Sequence, residues 1–246
     1  MCYLCDDTLR GHAMSLTRRG LLKLGGGAAL GFAAAGSSFA ASPKAPPKAE
    51  NVLSPDAALD RLMKGNQRYV EGVARRHDFK HEREALTKGQ NPYAGVLSCA
   101  ASRIAPEYAF DAGRGDLFVC RVAGNVVNDD IIASLEYAVS VLNAPLIMVL
   151  GHRACGAVEA VIKSIKSSTT LPGHLPSLAT ALAPAVKAAL DQPGDNLDNA
   201  IRQNVIVTAA GIKTATPILS KAVEEKKLLV VGAVYDLSNG RVALVN

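Results

Sequence analysis

Residues 146–156 read LIMVLGHRACG, and this stretch decides the fold. Its first five residues are continuously apolar, which is typical of a strand buried on both faces of a sheet. Gly151 and His152 end the run, and Cys155 follows three residues after the imidazole, where a helical pattern begins. A buried strand that passes directly into a helix indicates one unit of an α/β sheet.

The same pattern recurs along the chain. Further apolar runs lie at residues 94–98, 117–122, 228–235 and 241–245, and the last two are separated by a turn at 238–240 that predicts a hairpin. Helical patterns lie at residues 129–142, 155–166, 174–190 and 197–225, the last with a possible break at Pro217. We predict an α/β fold with a central, mostly parallel sheet of four to five strands flanked by helices.

The segment before the first strand is predicted to be helical. Ser54 is a good N-cap and Pro55 suits the first helical position, so a helix is expected over residues 55–72. Residues 75–88 are charged on all sides, which predicts either a short solvated helix or an arm reaching over a partner subunit.

Soft metal ligands follow two of the apolar strands. Cys99 comes directly after the first, His152 ends the third, and Cys155 opens the next helix. Since functional groups gather where parallel strands end, these side chains are expected to meet. Two thiolates and one imidazole form a set that zinc prefers, and three protein ligands are typical of a catalytic site.

Taken singly, each of these residues has a simpler interpretation. A cysteine in an apolar strand is usually a small core residue, and Cys120 is assigned that role. The remaining histidines of the globular part, His77, His81 and His174, are interpreted as ordinary side chains. H-x-x-C alone is a weak signal, and it is the placement at strand ends that favours a metal site.

Several short motifs together resemble the β-class carbonic anhydrases. They are residues 99–103 (CAASR), 116–118 (DLF), 121–125 (RVAGN), 134–138 (SLEYA), 151–156 (GHRACG) and 231–236 (VGAVYD). The resemblance covers most of the chain from about residue 57 to 246, and ordered motifs are far more specific than any one alone.

The resemblance implies a cofactor, a substrate and a quaternary structure. The matching residues Cys99, His152 and Cys155 would bind Zn²⁺, which activates water for the reversible hydration of CO2 to bicarbonate. Gln90 matches a family glutamine that donates to a substrate oxygen, although a surface loop amide is an equal alternative. The family forms homodimers or multiples of dimers, in which N-terminal helices extend onto the partner subunit.

One position departs from the family pattern. The family has Cys-x-Asp-Ser-Arg where this chain has Ala101, so the aspartate that pairs with the arginine matching Arg103 is missing. In the family this aspartate also accepts a hydrogen bond from metal-bound water, and in some members it becomes a fourth ligand. We therefore expect a weakened hydratase. Arg103 is either a free cation that attracts bicarbonate or is paired with another carboxylate, for which the candidates are Asp111, Asp116, Asp129 and Asp130.

Other functions remain open at this point. One alternative is a non-catalytic zinc-binding homologue, and another is a zinc hydrolase acting on a different small linear molecule. Nucleic-acid binding is not expected, because part of the net charge of +5 comes from basic residues near the N-terminus and no basic stripe is interleaved with aromatic residues.

The N-terminus is predicted to direct export. Within residues 1–40, the pair Arg18 and Arg19 precedes a Gly/Ala/Leu-rich run that ends in an A-x-A-like site, which resembles a twin-arginine signal peptide cleaved after Ala40. Residues 41–54 are interpreted as a linker and residues 55–246 as the catalytic domain. A periplasmic protein with no stable membrane span after cleavage is expected. Residues 1–13, which contain the pair Cys2 and Cys5, are interpreted as an over-long start of the reading frame.

Overall fold

A five-stranded sheet forms the centre of the protein. The computed structural model describes residues 53–245. The strands are β1 (Ala94–Ser98), β2 (Leu117–Arg121), β3 (Leu146–His152), β4 (Leu229–Tyr235) and β5 (Val242–Val245). Their order is β2-β1-β3-β4-β5, with β1 to β4 parallel and β5 antiparallel to β4. The predicted mostly parallel sheet is therefore confirmed.

Helices follow β1, β2 and β3 along the chain. Their bounds are α1 (Pro55–Val70), α2 (Phe79–Ala85), α3 (Pro106–Ala109), α4 (Asp129–Ser140), α5 (Gly156–Ser167), α6 (Leu175–Leu190), α7 (Asn196–Thr214) and α8 (Ile218–Glu224). The expected helix over residues 197–225 is divided, as foreseen, at Pro217, whose ring removes a backbone donor. The short helix α3 was not predicted, because four residues are too few to show a helical period.

Both faces of the sheet are covered. Along β3, Met148 and Leu150 pack in a core cluster with α1 and α3, whereas Ile147 and Val149 pack in a second cluster with α7. This alternation follows the pleat of a strand. It explains why the strand reads as one continuous apolar run.

The order of the strands reverses at β1, which lies between β2 and β3. The chain leaves β1 for β2 on one side and then returns to place β3 on the other side of β1. The carboxyl ends of β1 and β3 are neighbours, since Ser98 is in register with Leu150. Such a point, where the strand order reverses, opens a crevice that commonly binds ligands.

Two predicted segments belong to the N-terminal part of the chain. The signal peptide over residues 1–40 and most of the linker over 41–54 lie outside the described residues. Within residues 53–245, no helix combines the length and apolar character needed to cross a bilayer. The charged segment at 75–88 contains α2 and a short 3₁₀ turn at Leu86–Lys88, which agrees with the short solvated helix. That the N-terminal helices extend onto a neighbouring subunit stays a prediction.

Candidate metal centre

The three predicted ligands converge at the carboxyl edge of the sheet. Cys99 follows β1, His152 is the last residue of β3, and Cys155 is the N-cap of α5. Their ligand atoms lie within 4.8 Å of one another, and the two Sγ atoms are 3.9 Å apart. All three side chains are buried, with at most 4% of each residue exposed.

The imidazole is held with one nitrogen available. His152 Nδ1 lies 2.8 Å from the carbonyl oxygen of Arg153, so Nδ1–H donates to that oxygen. Nε2 is buried and has no hydrogen-bond partner within the described residues. A buried polar atom without a partner is costly, and here it faces a site lined by sulfur. The lone pair of Nε2 is therefore set to bind a metal ion.

The sulfur atoms of Cys99 and Cys155 lie within hydrogen-bond distance of each other. Their mutual hydrogen bond lowers the pKa of Cys99 to about 3 against the raising effect of burial, and the Gly124 N–H, whose nitrogen lies 3.3 Å from Cys99 Sγ, lowers it further. The same hydrogen bond, together with burial, raises the pKa of Cys155. A divalent cation at this point would bind both sulfur atoms as thiolates, so metal binding would release protons from the pair.

A turn after β2 supports the Cys99 sulfur. Gly124 adopts a φ of 74° that favours glycine, and its carbonyl oxygen accepts a hydrogen bond of 2.7 Å from Asn204 Nδ2 on α7. The neighbouring Asn125 is 2% exposed, and its Nδ2 has no hydrogen-bond partner in the described part of the chain. Sequence reasoning gave no indication of Asn204, which lies 80 positions beyond Gly124 along the chain.

Arg153, between two of the ligands, is fixed by two aspartates. Its Nη1 lies 2.6 Å from Asp198 Oδ2 and its Nε lies 3.4 Å from Asp236 Oδ2. Its backbone N–H also donates to Tyr235 on β4. These contacts hold the carbonyl group that orients His152. Sequence reasoning missed them because the aspartates are distant along the chain.

Arg103 lies beside the site without an ion partner. Its Nη2 donates to the Ala154 carbonyl oxygen at 3.0 Å, which ties the residue 101–103 turn to the ligand loop. Within residues 53–245, Arg103 forms no ion pair. No aspartate among residues 53–245 forms an ion pair with Arg103, and replacement of the family carboxylate by another acidic residue stays a prediction.

Each candidate aspartate is engaged elsewhere or remote. Asp111 pairs with Arg68, and Asp116 pairs with Arg61 on α1. The other two, Asp129 and Asp130, are exposed in the first turn of α4.

Gln90 does not join the site of its own chain. It lies before β1, whereas Cys99 lies after β1, and the five-residue strand spans about 16 Å at the usual rise. Gln90 is exposed and lines a surface groove of about 1070 Å³ together with residues 139–145 and parts of α8. This groove opens at the amino edge of the sheet, opposite the ligands.

The donor set fits a zinc ion. Zinc accepts thiolate sulfur and imidazole nitrogen, and catalytic zinc sites use three protein ligands. The orphaned Nε2 of His152 and the closely spaced sulfur atoms are the features that a divalent ion would satisfy.

Comparisons with known proteins agree with this site. A family model described as carbonic anhydrase matches residues 94–242. Carbonic anhydrase 2 of Mycobacterium tuberculosis is 37% identical over 192 residues, which cover 78% of this chain and 93% of the relative. A carbonic anhydrase of Mycolicibacterium smegmatis is 35% identical over the same shares. A tetrameric β-carbonic anhydrase of the ascomycete Sordaria macrospora superposes with a TM-score of 0.60 at 26% identity, covering 76% of this chain and 96% of that one.

An open α/β sheet that brings two thiols and an imidazole to its switch point is typical of a zinc metalloenzyme. The comparisons identify the family to which the chain belongs within this class of enzymes. The chain belongs to the β-class carbonic anhydrase family, a family of lyases whose cofactor is zinc. Cys99, His152 and Cys155 are the residues that would hold that ion here.

Proposed function

We propose that the protein catalyses the reversible hydration of CO2 to bicarbonate, at a rate lower than that of a site with a carboxylate at position 101. The convergence of Cys99, His152 and Cys155 supports the reaction most directly, because Nε2 of the imidazole has no hydrogen-bond partner among residues 53–245. Bound zinc lowers the pKa of a water molecule from about 15.7 to about 7, which supplies a nucleophile at neutral pH.

The residues around the ligands suit a small apolar substrate. Val122, Val126 and Leu182 belong to the apolar cluster that packs around Cys99 and Cys155. Such a wall excludes bulk water and accommodates CO2 without requiring polar partners. The two thiolates offset the charge of the dication, which lowers the cost of burying it.

The missing acceptor is the basis for reduced activity. Ala101 offers a methyl group where an acidic side chain would accept a hydrogen bond from the attacking water, and Arg103 has no ion partner among residues 53–245. Loss of one orienting group beside a metal site costs about 10–100-fold in activity or metal affinity. Since the pKa effect of zinc is far larger, we propose a slow enzyme rather than an inactive one.

The Ala101→Asp variant tests this proposal. We expect the zinc-loaded variant to hydrate CO2 about 10–100-fold faster than the unmodified protein in a stopped-flow assay. The matched control is Ala188→Asp, which adds the same charge on the exposed surface of α6 and should leave the rate unchanged.

Two results would count against the proposal of a slow CO2 hydratase. An unchanged rate in a folded Ala101→Asp variant that holds zinc would show that Ala101 is not the handicap. No hydration by either protein, with zinc bound, would favour a non-catalytic zinc-binding role or hydrolysis of another small linear molecule, such as a sulfur analogue of CO2.

We propose that Gln90 acts on substrate only in an assembly of subunits. Because it lies at the opposite edge of the sheet from Cys99 of its own chain, contact with substrate requires the site of a neighbouring copy. A homodimer or a multiple of dimers is consistent with this, and sedimentation of the purified protein tests it. A strict monomer with full activity would exclude a substrate contact by Gln90.

We also propose export to the periplasm through the twin-arginine pattern in residues 1–40. The support is the sequence around Arg18 and Arg19. Cell fractionation and N-terminal mass analysis test it. The variant with Lys at both positions should stay in the cytoplasm, and an intact N-terminus on exported material would exclude cleavage after Ala40.

A further inference from the structure

Two guanidinium groups beside the metal ligands are hydrogen-bonded but not neutralised. Arg103 donates to the carbonyl oxygen of Ala154, and Arg121 donates to the carbonyl oxygens of Cys99 and Ala101 at 3.1 and 2.6 Å. A third bond of 2.9 Å runs from Arg121 to Ile104. Carbonyl groups satisfy donors but carry no charge, and neither arginine forms an ion pair within residues 53–245.

The metal centre does not compensate these charges. Two thiolates balance a divalent ion, and a neutral imidazole adds nothing. Within residues 53–245, the positive charges of Arg103 and Arg121 are therefore not cancelled by an ion pair, and both residues are exposed. Such a local excess of one sign concentrates small ions of the opposite sign.

Arg103 retains donors for an anion. A guanidinium group has five N–H donors, and among the described residues only the bond to Ala154 engages this one. Its neighbour in the turn, Ala101, is partly exposed and contributes only a methyl group. A planar oxyanion with two oxygens matches the fork of a guanidinium group.

We propose that Ala101 and Arg103 form a binding site for a small carboxylate-type oxyanion, such as formate or bicarbonate. A bound oxyanion supplies the hydrogen-bond acceptor that the side chain at position 101 lacks. This inference rests on the proposed function for its effect on rate, but anion binding itself is measured separately. Bicarbonate at this site would tie the rate to the concentration of product.

The first experiment measures binding directly. Carbon-13 formate is titrated into the full zinc-loaded protein, and its line broadening is followed by NMR. Charge-assisted hydrogen bonds predict that Arg103→Gln weakens formate binding about 10–100-fold. Arg83→Gln, a matched loss of one exposed cation on α2, should bind formate as the unmodified protein does.

The second variant leaves the arginine in place. Ala101→Asp supplies a carboxylate within the chain, so formate binding should weaken by a similar factor while Arg103 is unchanged. Thermal melting and zinc content establish that each variant is folded and loaded. Equal formate affinity in the unmodified protein, Arg103→Gln and Ala101→Asp would overturn the inference, because the ligand would then bind the metal alone.

Rate measurements connect the site to the reaction. Formate at millimolar concentration should accelerate CO2 hydration by the unmodified protein and should not accelerate Ala101→Asp. Carbon-13 bicarbonate in place of formate shows whether the product also occupies the site.

If neither protein hydrates CO2 but formate binding still depends on Arg103, the proposed function fails and the anion site stands. If hydration is normal and formate binding ignores Arg103, the anion site fails and the function stands.

Discussion

At the scale of single residues, the orientation of His152 is set by the backbone. Its Nδ1–H donates to the Arg153 carbonyl oxygen, and that carbonyl group is held by the ion pairs of Arg153 with Asp198 and Asp236. Loss of a group that orients a metal ligand commonly costs about 10–100-fold in metal affinity or activity. Three charged side chains at the surface therefore position a buried nitrogen.

The cysteines allow a matched test of ligand assignment. Cys155→Ser should reduce zinc content well below about one ion per chain, because serine is a much harder and less acidic ligand. Cys120→Ser is the control, since Cys120 is buried on β2 and is not in the ligand group. Elemental analysis after dialysis measures both variants. A Cys120→Ser variant that loses zinc while Cys155→Ser keeps it would contradict the assignment.

At the scale of elements, the turn after β2 is sensitive to substitution at Gly124. Gly124→Ala places a Cβ about 3.0 Å from Leu182 Cδ1 at a φ of 74°. The backbone alone costs about 1–2 kcal/mol in this conformation. Gly72→Ala is the control, because its φ is 70° and nothing lies within 4 Å of the added carbon. Urea unfolding should show a larger loss for Gly124→Ala, and equal losses would mean that Leu182 yields without cost.

The carboxylate of Asp111 links the α3–β2 loop to α1. Burial raises its pKa, but hydrogen bonds from Arg68 and from the Arg75 N–H outweigh this effect, so the folded-state pKa is lowered. A lowered pKa stabilises the fold above the unfolded-state value of about 3.9, and this stabilisation is lost as the pH falls through the folded-state value.

Asp111→Asn should therefore unfold more easily at pH 7, by about 1–3 kcal/mol in the free energy of unfolding. Asparagine tolerates the φ of 43° at this position, which isolates the charge. The difference from the unmodified protein should shrink as the pH falls below about 4. A difference that does not change with pH would assign the effect to packing.

The elements also show what the sequence could and could not predict. Continuous apolar runs located the strands, and their ends located Cys99 and His152, because the carboxyl ends of parallel strands share an edge. The contact of Asn204 with Gly124 joins residues 80 positions apart, and periodicity carries no information about such pairs. The position of Gln90 was visible in principle, since it precedes the same strand that Cys99 follows.

At the scale of the whole molecule, the metal centre connects parts of the chain that are far apart in sequence. Cys99 follows one central strand, His152 ends its neighbour, and Cys155 begins α5. The ligand atoms come within 4.8 Å only when the sheet is formed. An ion that binds this arrangement and not the unfolded chain stabilises the entire domain by mass action.

Removal of zinc should therefore lower the melting temperature of the whole domain. Free zinc at about 100 times its dissociation constant contributes about 2.7 kcal/mol, and a chelator removes this contribution. The effect should weaken as the pH falls, because protons compete for the thiolates and the imidazole. Calorimetry with and without chelator measures this change in melting temperature, and added zinc should restore the original transition.

The Cys120→Ser variant should respond to chelator as the unmodified protein does, whereas His152→Gln should melt at nearly the same temperature with and without chelator. A folded, metal-free protein that is indifferent to chelator would mean that the three side chains meet for packing alone, since a metal ion held between them must appear in the stability of the domain.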